Sequence, residues 1–355
     1  MNDALKAVNV YRRNVTIAIC ILLGIFLLIP VFVKSPYILN VFILVFYMST
    51  LSMAWNLLGG MTGQNSLGHA AYMGLGAYVS CLLITKAHVN PWVSAILGMV
   101  AVGLVAGIIF FPCFILRGPY FTLVSIAFGE ALRQFIINSA FFGRASGVGL
   151  PFKRGDYFLD FRFAGKEPYY YIGLAMLILI YLVMKKIERS RMGYALRTIR
   201  EDEEAAAAIG INPIRYKVMA VVVSAMVAAL VGFFYASYTR YIDPELMIQA
   251  KSTESVLPAV VGGAAFVEGP LVGGLIMIPL SEFLRAQFSA FLPGINMLLY
   301  AVALLAVIRF RPSGILGWYM HSKVKTFFDT KILRKPPVEV FEEAEMLKYK
   351  GRGRQ

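Results

Sequence analysis

From Pro91 to Leu116 the chain carries no charged side chain. A helix of about 20 apolar residues is what the hydrocarbon core of a bilayer requires. One such run could be a core helix of a soluble domain, but comparable runs recur at 15–33, 37–59, 66–85, 120–139, 169–184, 217–238, 271–286 and 292–308. With 355 residues, 59% of them hydrophobic and 15% charged, and a mean hydropathy of +0.69, the chain has more apolar surface than a soluble domain of this size buries. The pattern predicts an all-α, polytopic membrane protein.

The net charge of +14 could suggest a nucleic-acid partner, but its placement argues otherwise. Lys and Arg cluster before residue 15, between Lys185 and Lys217, and from Arg309 onward. Basic residues flanking spans mark the cytoplasmic side, so both termini and the 185–217 segment are expected inside. The first run is long for a signal peptide and no small-residue cleavage site follows it, so it is read as a retained span. Seven spans then leave the chain outside, and a C-terminus inside needs an odd number of further crossings. Only 271–286 and 292–308 are plain runs. The Gly-rich stretch 255–265 is therefore expected to be a short or broken third, giving about ten crossings, with eight or nine if some segments are re-entrant. Residues 1–317 read as one membrane domain, with an external loop at 140–167 and a charged internal loop at 186–217. Residues 318–355 read as a basic, partly disordered tail.

Enzyme motifs are missing. The one Gly-Lys pair, Gly165 and Lys166, is followed by Glu167 and belongs to no phosphate cradle of the GxxxxGK[ST] form. HExxH, CxxC and GxSxG do not occur, and Cys20, Cys81 and Cys113 lie far apart in apolar runs, so no catalytic residue and no metal site is expected.

Glycine is concentrated at two places inside apolar sequence. "LLGGMTGQNSLGHAAYMGLGAY" (57–78) interleaves glycines with Gln64, Asn65, Ser66 and His69 and follows Asn56; "PAVVGGAAFVEGPLVGG" (258–274) is its counterpart in the second half. Glycines permit close helix packing, and they also permit backbone to unwind around a protein-lined cavity, as in transporter substrate sites. On the second reading Asn56, Gln64, Asn65, Ser66 and His69 line a translocation path. His69 can equally be a hydrogen-bonded packing residue. Glu130 and Arg133 lie within one span at a spacing that puts them on one helix face, where they can neutralise each other as an intramembrane ion pair inside the bundle or serve a substrate.

The most charged internal stretch is "RTIREDEEAAAAIGINPIRYK" (197–217). A helix over 194–209 is expected, ended by Gly210 and by Pro213. Its stripe of Met192, Leu196, Ile199 and Ala206 could lie in a groove of another protein, with Arg197, Arg200, Glu201 and Glu204 as rim pairs. Glu204, Ala205, Ala206 and Gly210 fit the pattern EAAxxxG, which belongs to the cytoplasmic coupling loop of permeases in ATP-binding-cassette importers. Together with "LRGPYFTLVSIAFGEALR", "SRMGYALRTIREDEEAAAAIGINPIRYK", "VGGAAFVEGPLVGG" and "RFRPSGILG", the chain from about Leu51 to Gly317 resembles the permeases of the branched-chain amino acid importer family, more closely its LivM type than its LivH type.

That resemblance implies a plasma-membrane permease of a prokaryote, paired with a second, LivH-type permease. Two cytoplasmic ATPases and an external substrate-binding protein complete the machine. ATP-Mg is used by the partners, and this chain binds no cofactor. Coupling to the ATPases falls to Arg197, Arg200, Glu201, Glu204, Ala205, Ala206 and Gly210, and the 140–167 loop receives the binding protein. Relatives that carry urea or short amides leave the substrate open, and a passive channel for small neutral solutes is the rival class, since Gly-broken spans also build pores.

Overall fold

The computed structural model describes residues 23–114, 118–150, 160–288 and 313–322, with isolated positions between 13 and 21 and at 158, 301, 302, 305 and 309. Residues 35–316 form one compact unit, and residues 1–34 with 317–355 are grouped separately. The tail beyond Ser322 and most of the expected last span, 292–308, lie outside the described residues.

Helices make up nearly all of the described chain. They are α1 (Leu23–Phe32), α2 (Pro36–Thr62), α3 (His69–Thr85), α4 (Pro91–Cys113), α5 (Pro119–Asn138), α6 (Glu167–Glu188), α7 (Arg191–Glu201), α8 (Glu203–Ala208), α9 (Pro213–Thr239), α10 (Gln249–Gly262), α11 (Gly269–Phe288) and α12 (Gly314–His321). Six of them, α2, α4, α5, α6, α9 and α11, are long and apolar enough to cross a membrane. All six have proline in the first turn, where the missing N–H has no helical partner in any case.

The central helix is α9, which packs on α2, α3 and α4. Its buried side is rich in small residues, among them Ala220, Ser224, Ala225, Ala228 and Gly232. The crossing with α3 is so close that a Cβ on Gly232 would overlap the Met73 carbonyl. Small residues at such crossings let backbones meet where lipid supplies no hydrophobic drive between helices.

Two crossings are broken, and they correspond. Both α2 and α9 have 27 residues and end on a residue in the left-handed region, Gly63 at φ 74° and Arg240 at φ 62°. Irregular backbone then turns back into the bundle, residues 63–68 after α2 and residues 240–248 after α9, before a short helix of 17 residues (α3) or 14 (α10). Because α2 and α9 run in opposite directions, the halves have the form of an inverted repeat. Arg240 is held in its unusual conformation by hydrogen bonds from its guanidinium to the Phe161 carbonyl (3.3 Å) and the Tyr169 hydroxyl (3.1 Å).

One end of the bundle carries the charged segment of α7 and α8. At the other, β1 (Val148–Gly149) pairs antiparallel with β2 (Tyr241–Ile242), Val148 facing Ile242. Beneath this ladder Trp92, Phe161, Phe163, Tyr169 and Phe233 form an aromatic cluster that folds the described part of the 140–167 loop onto the helix ends.

Three expectations need correction. The span expected from residue 66 begins as helix only at His69, because the backbone of 63–68 bonds to side chains rather than to itself. The Gly-rich stretch 255–265 is not itself the crossing. It is the end of α10, which starts at Gln249, has 14 residues and is not among the six helices long and apolar enough to cross, and the glycines close it in a turn. The single rod expected over 194–209 is two helices, α7 and α8, that meet at Asp202.

Candidate functional site

At the charged end, Ser190 caps α7 and its hydroxyl also bonds back to the Ile187 carbonyl at 2.7 Å. Asp202 is extended (φ −156°, ψ 116°), and its Oδ1 accepts from the N–H groups of Glu204 (2.8 Å) and Ala205 (3.0 Å). This is an N-cap that starts a new helix and so breaks the old one. Gly210, at φ 87°, turns the chain, with the Ile211 N–H on the Ala206 carbonyl at 3.0 Å. Asn212 then caps α9 by accepting from the Arg215 N–H at 3.1 Å.

The knuckle so formed is tied to three long helices. Arg200 donates from Nη1 to the Gly60 carbonyl of α2 at 2.7 Å. Arg197 and Lys185 both bond Glu188 of α6, at 2.6 and 2.8 Å, and Lys185 reaches Glu268 before α11 at 2.5 Å. Lys217 of α9, fully buried, bonds Glu203 of α8 at 2.7 Å. Ion pairs at this degree of burial hold geometry, since losing one partner strands the other charge.

These ties overturn one part of the expected docking face. Leu196, Ile199 and Ala206 are buried within the chain itself, so the apolar stripe is used up in seating the knuckle, with Met192 half-buried beside it. The outward side carries Arg197, Glu201, Glu204, Ala205, Ala207 and Gly210, together with two large apolar residues, Tyr194 (64% exposed) and Ile209 (71%). Arg200 is exposed as well, although its guanidinium bonds the Gly60 carbonyl. Sequence reasoning placed Tyr194 and Ile209 only as helix limits. A large apolar side chain beside alanines in an otherwise charged loop was the available signal.

The second site is the break between α2 and α3. Trp55 donates from Nε1 to the Ser66 carbonyl (2.8 Å), Ser125 of α5 accepts the Leu67 N–H (2.9 Å), and Thr122 donates to the Asn65 carbonyl (2.7 Å). Ser252 of α10 accepts the Ala70 N–H (3.0 Å), and Asn56 donates to the Phe266 carbonyl (3.0 Å), joining the two broken crossings. Ser224 of α9 donates to the Ala54 carbonyl (2.6 Å), so its oxygen must accept from Nε2 of His69 (2.7 Å). That fixes the histidine tautomer and leaves Nδ1 without a partner among the described residues. Asn56, Gln64, Ser66 and His69 are buried, while Asn65 is exposed. Of the buried four, Asn56 and Ser66 satisfy backbone that would otherwise be orphaned in an apolar interior, Ser66 by accepting the Gly68 N–H at 3.3 Å, whereas His69 bonds a hydroxyl and Gln64 Oε1 has no partner among the described residues.

Glu130 and Arg133 do form a pair. Arg133 donates to the two Glu130 oxygens at 2.9 Å (Nε) and 2.6 Å (Nη2), and Gln134 adds a bond at 2.8 Å. The pair does not sit inside the chain's own bundle. It lies on the outward side of α5, whose buried side is Phe121, Ser125, Gly129 and Ile136.

Residues 37–308 match the family model described as branched-chain amino acid transport system / permease component. The chain belongs to that permease family. Similarity is spread along it: the LivM permease of the Escherichia coli high-affinity branched-chain amino acid system is 27% identical over 290 residues, covering 75% of this chain and 67% of that protein. LivM of Salmonella typhimurium is 25% identical over 288 residues, with the same coverage. LivH of Escherichia coli is 33% identical over 132 residues, 37% of this chain and 41% of that one. No solved structure matches the chain. The permease is thus of LivM type, a multi-pass membrane protein and a transporter subunit rather than an enzyme.

Proposed function

We propose that this permease forms, with a second homologous permease, the path of an ATP-binding-cassette importer for leucine, isoleucine and valine. It stands in the inner membrane of a prokaryote, with both termini and the α7–α8 knuckle on the cytoplasmic side. Two separate ATPases bind and hydrolyse ATP-Mg and grip the outward face at Tyr194, Arg197, Glu201, Glu204, Ala205, Ile209 and Gly210. Ala206 acts from behind, by seating the knuckle, and Arg200, exposed like the others, also ties it to α2. An external binding protein delivers substrate over the 140–167 loop. Asn65, the exposed member of the break, faces the path, while Asn56, Gln64, Ser66 and His69 hold the break open to it.

One observation carries this reading. The knuckle is bonded to α2, α6 and α9 by Arg200, Arg197 and Lys217, so a pull on its outward face is delivered to the helices around both broken crossings. A nucleotide-driven partner can shift the permease between states only through contacts that differ between them. A passive channel would need no such linkage. The test is reconstitution of the permease pair with its ATPases and binding protein in proteoliposomes. ATP-dependent accumulation of labelled leucine is expected, and Glu204→Lys should abolish it and prevent co-purification of the ATPases. Equal leucine flux without ATPases would overturn the reading, and accumulation of urea or acetamide in place of leucine would move the substrate to short amides.

A further inference from the structure

The outward faces of the spanning helices are of two kinds. That of α4 is Val93, Ile96, Leu97, Val100, Leu104 and Ile108, all apolar, as lipid contact demands. That of α5 is mixed, with Glu130, Gln134 and Asn138 among Tyr120, Leu123 and Phe135, each of the last three more than 60% exposed. Elsewhere on its surface α5 packs against the 3-10 turn Pro244–Met247 and touches α10. The turn exposes Glu245, whose charge acts on Arg133. From α10 come Gln249, Thr253 and the pair Lys251–Glu254, joined at 2.8 Å with both side chains nearly half exposed.

These charges are not at the membrane surface. Ser125 of α5 and Ser252 of α10 bond to Leu67 and Ala70 around the start of α3, which lies beside Ala54, eight residues inside the α2 terminus. At 1.5 Å per residue that is about 12 Å into the bundle. Glu130 and Arg133 stand one to two turns further along α5. Ionised groups at such depth face protein or water, not hydrocarbon. Lys251 also lines a cavity of about 40 Å³ with Tyr47, Leu51, Met73, Tyr235 and Leu246, room for a water or two.

We infer that the face made by α5, the Pro244–Met247 turn and α10 is the wall of the translocation path, closed on its far side by the second permease, and that Lys251 and Glu254 at the mouth of the apolar cavity are its station for an aliphatic amino acid zwitterion. The inference rests on the importer reading above. The substrate carboxylate takes the place of Glu254 at Lys251, its ammonium takes the place of Lys251 at Glu254, and its aliphatic side chain lies against the apolar residues at the cavity mouth, the cavity itself being too small to take it in without rearrangement. A resident ion pair suits this task, because the zwitterion replaces each bond it breaks and the charge of the site does not change. Glu130 and Arg133, already saturated by each other and by Gln134, keep the wall neutral and wet. The apolar face of α4 is left for lipid.

The test uses the complete importer in proteoliposomes with a charged, membrane-impermeant thiol reagent, read against the parent chain with its three cysteines. Ala131→Cys and Thr253→Cys should react at least tenfold faster than Leu104→Cys, and saturating leucine should slow Thr253→Cys at least tenfold while leaving Ala131→Cys little changed. Lys251→Gln should raise the KM for leucine uptake at least tenfold with ATPase association intact. Should Ala131→Cys and Thr253→Cys react as slowly as Leu104→Cys in an importer that accumulates leucine, the wall is elsewhere and the importer reading stands. If both react but leucine neither protects Thr253→Cys nor changes its rate, the zwitterion station is refuted. Absence of ATP-driven leucine uptake by the parent importer would instead refute the reading on which the inference rests.

Discussion

Lys217 Nζ lies 2.7 Å from Glu203 Oε2 at the foot of α9, and the lysine side chain is completely buried. Two turns further along the same helix, Ser224 receives His69 and donates to Ala54 at the first break. One rigid element therefore connects the first turn of α8 with the backbone interruption between α2 and α3. A helix of this length transmits displacement with little loss, because its interior is close-packed and not continuously deformable.

Removing one member of that pair should be worse than removing both. Glu203→Ala leaves Lys217 buried without a partner, and a loss of about 3–5 kcal/mol is expected, read as a lowered Tm of the purified permease. Lys217→Met combined with Glu203→Leu should recover most of the Tm but leave ATP hydrolysis uncoupled from leucine uptake. Full transport by the double variant would show that the pair is not part of the linkage.

Asp202→Ala removes the cap that starts α8, with an expected cost of about 1 kcal/mol. With the cap gone, α7 and α8 can merge into one helix, which would carry Glu204 and Ile209 away from their positions. ATPase binding should weaken more than stability does, as seen by comparing co-purification with thermal unfolding. Asp202→Asn, which keeps an acceptor, should rescue both.

Ile209→Arg tests the outward face without touching the interior. The residue is exposed and seats nothing, so Tm should move by less than about 0.5 kcal/mol equivalent. Association with the ATPases should fall at least tenfold, because an apolar anchor at the centre of a small contact carries much of its energy. Unchanged association would remove α8 from the contact.

Gly232→Ala should disrupt folding, since a methyl group there meets the Met73 backbone, which cannot move aside without shifting α3 against α9. A cost of about 1–3 kcal/mol or more is expected from such overpacking. Gly149→Ala, with open space at its Cβ position, is the matched control and should be neutral by expression and Tm.

His69→Ala should lower stability and uptake together, because it empties a fully buried site and deprives Ser224 of its donor. Loss of a side chain of this size from a core costs about 2–5 kcal/mol. His69→Asn, which can still donate to Ser224, should retain more of both; equal damage from the two variants would mean that volume rather than the hydrogen bond is what matters.

Spanning helices and the charged internal loop were legible from residue types alone, because crossing a bilayer demands long apolar runs. The same physics made the Gly-rich stretches visible as breaks, although not their limits: α10 extends back to Gln249 because Pro258 is tolerated within it and Ser252 is needed beside Ala70. Only the tertiary structure decided which way each face points. Leu196, Ile199 and Ala206 have the spacing of a docking stripe wherever they pack, and it is the ties at Gly60, Glu188 and Lys217 that turn them inward and leave Tyr194 and Ile209 outside. Glu130 and Arg133 can pair by local spacing, but whether that pair faces its own bundle or a neighbour depends on how α5 is rotated against the α3 entry, which is set by contacts far away in the chain.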